Sequence, residues 1–123
     1  MRKLTFPLIL AAVFAVQPLA AHEGHGQSMH GGIVAEAGHA QFEIVARDGR
    51  ITVHASNHGA PLATAGASGK LTVLTGTNKQ EIPLQASGQD RLQGQGKLTA
   101  GDKLLLNVIW PGQKPLQARA VVH

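Results

Sequence analysis

Beyond Gly32 the chain alternates apolar and polar residues with period two, and glycine interrupts the alternation at short intervals. This is how antiparallel strands read when one face is buried and tight turns join them. Phe42, Ile44 and Ala46 alternate with Gln41, Glu43 and Val45. Asp48-Gly49 supplies a two-residue hairpin turn, after which Ile51, Val53 and Ala55 alternate with Thr52, His54 and Ser56. The run Asn57-His58-Gly59-Ala60-Pro61 closes that strand. Further strands are expected at 70–74, 81–85, 91–98, 103–110 and 116–122, which with 33–37 make about eight. No later stretch has helical periodicity, and the alanines of 60–67 stand among Pro and Gly in a loop. The expected fold class is therefore all-β: a small antiparallel β-sandwich, immunoglobulin-like or a related Greek key, carrying a flexible His-rich N-terminal tail.

The first residues follow a different pattern. Arg2 and Lys3 precede an apolar run over 8–16 and a small-residue exit at Pro18-Leu19-Ala20-Ala21. These are the parts of a secretory signal peptide, so residues 1–21 are expected to be removed and the protein to be periplasmic. The apolar run is too short to span a bilayer, and no later segment approaches the roughly 20 apolar residues that spanning needs. With no cysteine there is no lipid anchor and no disulfide, which leaves packing or bound metal to stabilise a small exported fold. The remaining length suits one core, a single domain over 30–123.

Removing Arg2 and Lys3 lowers the formal charge of the chain from +4 to +2. Only Trp110 and Phe42 remain as aromatics, and no basic stripe interleaves with them, so a nucleic-acid partner is not expected. Nor does the chain carry a Gly-x-Ser-x-Gly elbow or a tyrosine, and no enzymatic activity is expected.

The candidate chemistry is metal binding. His22, His25, Met29 and His30 lie within nine residues, and imidazole and thioether are borderline and soft donors that favour copper, silver and zinc. Residues 22–29 are too polar and glycine-rich to order themselves, so they read as a flexible tail. Cleavage after Ala21 would leave His22 first, its amine and imidazole forming a histidine brace for Cu(II); the alternative is a solvated tail of weak affinity. Met29-His30-Gly31-Gly32 joins this tail to the first strand, with the glycines free to adopt backbone conformations other residues resist. His30 and His39 fall at opposite ends of that strand and do not share an ion.

Strand alternation puts His54 and Glu43 on the polar face, and the Asp48-Gly49 turn sets Glu43 across from 54–56. An imidazole and a carboxylate there suit a zinc or copper site, and they suit an ordinary polar pair equally. His58, in a turn, is freer to orient. None of these spacings is that of a zinc finger or zincin.

The runs His30-Gly31-Gly32-Ile33-Val34, Phe42-Glu43-Ile44-Val45, Asn57-His58-Gly59-Ala60-Pro61 and Gly66-Ala67-Ser68-Gly69-Lys70-Leu71-Thr72 resemble small periplasmic proteins associated with heavy-metal efflux systems of the resistance-nodulation-division type, and related domains of their adaptor subunits. The resemblance implies a periplasmic β-sandwich that binds or hands over copper, silver, zinc or cobalt, with His30 the foremost ligand and His58 next. The alternative it leaves is a non-catalytic module that docks on an efflux adaptor, its histidines incidental.

Overall fold

The period-two segments become strands in the computed structural model, which describes residues 27–123. The expected signal peptide, together with His22 and His25, lies outside the described residues. Nine strands follow in chain order: β1 (Ile33–Ala37), β2 (Ala40–Arg47), β3 (Arg50–Asn57), β4 (Ala60–Pro61), β5 (Ser68–Thr75), β6 (Asn78–Ala86), β7 (Arg91–Gln95), β8 (Lys103–Ile109) and β9 (Leu116–Val121). All pairings are antiparallel, in the order β1-β2-β3-β7-β6-β5-β8-β9, with the short β4 added beside β3. Among the described residues no helix is long and apolar enough to cross a membrane.

Two hairpins come directly from turn chemistry. At Asp48-Gly49 both residues have positive φ, 55° and 77°, the twist that joins β2 to β3 through two residues. That turn fixes the register, so Glu43 faces His54, Val45 faces Thr52 and Arg47 faces Arg50. His58-Gly59 repeats the same backbone, at 52° and 85°, between β3 and β4.

The remaining topology is a Greek key. Strands β5, β6 and β7 follow one another as neighbours, and 96–102 then carries the chain back so that β8 pairs with β5. Asp102, 2% exposed, shapes this return by accepting hydrogen bonds from Thr75 Oγ1 and the Thr99 amide, each at 2.8 Å.

The sheet folds over itself, with β1 lying against β9, into a sandwich that verges on a closed barrel. Phe42, Ile51, Val53, Leu71, Leu92 and Leu106 are fully buried between its halves. Ala46, expected inward with Phe42 and Ile44, is exposed because β2 runs past the core at its turn end.

The halves meet at β6 and β7, whose ladder is only two residue pairs long. Pro83 has no N–H to extend it. At the same seam Gly94 is held so close to β6 that a Cβ would stand 2.4 Å from the Pro83 carbonyl oxygen and 3.0 Å from Ile82 and Leu84 side-chain carbons. The expected strand over 91–98 ends at Gln95, and Gly96 sits against Ile82. A methyl added at this seam has nowhere to go, so Gly94→Ala should lower stability by about 1–3 kcal/mol in urea denaturation, the usual cost of overpacking.

Candidate functional site

Before β1 begins, residues 28–32 cross over β2 as a strap. The strap has no strand partner for its N–H groups, and Glu43 supplies the acceptors. Oε1 accepts from the Met29 amide at 2.9 Å, and Oε2 accepts from the Ser28 hydroxyl and the His30 and Gly32 amides, each at 2.8 Å. The glycines allow the approach in two ways. Gly31 adopts φ 75°, and a Cβ on Gly32 would lie 2.5 Å from the Ile44 carbonyl oxygen. Conformational freedom, expected of both, is thus the requirement at Gly31, while at Gly32 it is room.

The strap covers Glu43, leaving it 7% exposed although it belongs to the outer face of its strand. Burial by itself raises a carboxyl, but the hydrogen bonds from the Met29 and Gly32 amides, the Ser28 hydroxyl and the His30 amide outweigh it and hold Glu43 at about 2, against the ordinary 4.5. The carboxylate considered above as a metal ligand is thus occupied in fixing the chain. Of the stretch 22–29 read as a flexible tail, Ser28 and Met29 are held by this carboxylate and belong to the strap.

Docking the strap brings His30 onto His54. The two imidazoles stack with centroids 3.8 Å apart and planes inclined by 14°. His54 is fixed in β3 between Glu43 on β2 and Arg91 on β7. Burial pushes its proton affinity below the ordinary histidine value of 6.5; His30 and Arg91 push the same way, and Asp90 and Glu43 oppose them. Thr64 holds the neighbouring segment in place: its buried hydroxyl donates to the Arg91 carbonyl at 2.7 Å, and its amide donates to the Gln89 carbonyl at 2.9 Å.

A cleft of about 170 Å³ opens beside the stack, and Met29, His30, His54 and Asp90 all line it. Met29 itself is 79% exposed. Asp90 was not foreseen, because nothing in the sequence near it signals that β7 runs beside β3. His58 is placed elsewhere: it lines a separate cleft with His39 and Glu36, formed by the β1–β2 and β3–β4 turns. His39 and His30 do lie at opposite ends of β1. Among the described residues no group of three or more His, Cys, Asp or Glu is arranged to hold a metal ion.

The depressed Glu43 sets a pH window for the strap. A carboxyl with a lowered folded value contributes stability above its unfolded value and loses it as the pH falls from 4.5 towards 2, here on the order of 3 kcal/mol. The Met29, His30 and Gly32 amide resonances should move to unbonded positions across that window. In Glu43→Gln they should be displaced already at neutral pH, with a stability loss of about 1–3 kcal/mol, because the carboxamide brings its own donor against these N–H groups. The functional reading rests on these residues alone, since no protein-family model, no curated protein and no solved structure matches the chain.

Proposed function

We propose that this is a periplasmic metal-ion-binding protein, a carrier or buffer for copper, silver, zinc or a similar ion in a heavy-metal resistance or efflux system. The observation that carries the reading is the His30–His54 pair, two imidazoles brought together with centroids 3.8 Å apart by the docked strap. Thioether and carboxylate donors at Met29 and Asp90 line the same cleft. Imidazole with sulfur suits copper and silver, and imidazole with carboxylate suits zinc.

In-plane lone pairs of stacked rings run side by side and do not converge, so one ring must turn to share an ion. His30, on the exposed strap, is the ring free to turn, while His54 stays fixed in its strand. Further donors come from His22 and His25, which precede the strap in the chain. The metal is cargo in this reading, and the resting stack keeps the two imidazoles paired until it arrives.

The second reading, a non-catalytic module docking on an efflux adaptor, is favoured by a groove of about 630 Å³ along β5, β8 and β9. Leu74 and Val121 are exposed there at 38% and 49%, rimmed by Lys79, Lys103 and Arg119.

Calorimetric titration of copper and zinc separates the two. If the imidazole pair is the site, His30→Ala and His54→Ala each weaken binding by about tenfold or more, a cost of about 1.4 kcal/mol, and deletion of 22–29 weakens it similarly. Unchanged affinity in both alanine variants would remove the site. Ligands must be neutral to bind, and His54 is held below the usual histidine value, so affinity should be level above pH of about 6.5 and fall at more acid pH. Zinc titrations repeated across that range would show the break.

A further inference from the structure

The outer face of β2, β3 and β7 carries positive charge that the metal reading does not use. Arg47 stands opposite Arg50 in the β2–β3 ladder, and Arg91 stands opposite His54 in the β3–β7 ladder. Between these two rows lies a third, Val45, Thr52 and Gln93. The three arginines line one cleft of about 450 Å³ whose floor is that middle row. Its volume falls in the range of small-molecule sites, about 300–1,000 Å³.

Like charges placed directly across a ladder are destabilising unless something of opposite sign meets them. Among the described residues the ion pairs are those of Glu81 with Lys70 and Lys79, so no carboxylate engages the three arginines. Glu43, the acid nearest in β2, is committed to the strap. Asp48 shares the cleft and forms no ion pair with the arginines flanking it. Most telling is Arg91, whose Nε is buried and has no hydrogen-bond partner. A buried donor left unmade is costly and rare in folded proteins, and a turn of the Arg91 side chain into the cleft would let a ligand's acceptor satisfy it.

We propose that this cleft binds a small ligand carrying two linked oxyanion groups, of the diphosphate class. Arg47 and Arg50 take one end and Arg91 takes the other. Guanidinium is the side chain whose planar fork matches phosphate oxygens, and it keeps its charge at every physiological pH. The demand for two groups follows from spacing. Arg50 and His54 are four residues apart on β3, about 13 Å at roughly 3.3 Å per residue, too far for a single phosphate to be gripped fully from both rows. Arginines leaning inward over the middle row meet the two ends of a longer anion. Gln93 Nε2 donates to Thr52 Oγ1 at 3.4 Å, which leaves the Thr52 hydroxyl hydrogen to point at the ligand. His30 and His54 line the same cleft beside Arg91, but the anion is gripped by the arginines, so binding to the metal-free protein tests this site separately from the metal reading.

The test is titration of pyrophosphate, and separately of inorganic phosphate, into the metal-free protein at constant ionic strength, following the Thr52 and Gln93 amide resonances. Saturable binding of pyrophosphate is expected with Kd below about 1 mM, and phosphate should bind about tenfold more weakly. Arg50→Gln and Arg91→Gln should each weaken pyrophosphate by about tenfold or more, while Lys79→Gln, on the opposite groove, should leave it unchanged. Arg50 is exposed at a turn, so its variant will fold even where loss of Arg91 disturbs β7. Absence of saturation, affinity unchanged in Arg50→Gln, or an equal loss in Lys79→Gln would each overturn the proposal.

Discussion

A buried carboxylate that finds its donors in a passing backbone is the interaction on which the site depends. Glu43 cannot lie beneath the strap as an unpaired charge, and the strap amides cannot lie against β2 without acceptors. Each resolves the other, through one hydroxyl and three N–H groups at 2.8–2.9 Å. Because Oε2 binds the amides on both sides of Gly31, the strap is fixed in position as well as held down. That fixing sets His30 over His54. A hydrogen bond to the backbone of a residue thereby decides where its side chain acts.

The fold contributes by choosing neighbours. A two-residue turn makes β3 the partner of β2, which puts His54 beside Glu43. The β5–β6–β7 run then ends with β7 as the other partner of β3, bringing Asp90 and Arg91 to the same face from a distant part of the chain. The result is an outer face with acid and imidazole at one end, arginines at both, and Val45, Thr52 and Gln93 between. The inner face of the same strands holds Phe42, Ile51, Val53 and Leu92 fully buried, so the outer side chains stand on a rigid floor. Burial of His54, helped by His30 and Arg91, outweighs Asp90 and Glu43 and favours the neutral imidazole, the form that coordinates metals.

Much of this was legible in the sequence because it is local. Alternation with period two requires only that one face be buried, and Asp48-Gly49 requires only that positive φ be tolerated, so the β2–β3 hairpin and the placement of Glu43 opposite His54 follow from adjacent residues. The all-β class follows in the same way, as do the separate positions of His30 and His39 at the two ends of β1. Gly31-Gly32 was visible as a pair with unusual backbone freedom, which Gly31 uses, but the crossing at Gly32 that leaves no room for a Cβ was not.

What the tertiary structure alone decided is which distant residues meet. The descent of the strap onto β2 converts Glu43 from an exposed polar residue into a buried anchor, and it places Ser28 and Met29 in ordered contact with the domain. Pairing of β7 with β3 supplies Asp90 and Arg91, while the meeting of the β1–β2 and β3–β4 turns sets His58 in another cleft with His39. Sequence patterns record the face a residue occupies and the turn that follows it, because those are set by neighbours a few bonds away. Contacts between strands far apart in the chain are selected by the closing of one shared core, and no short window of residues contains that information.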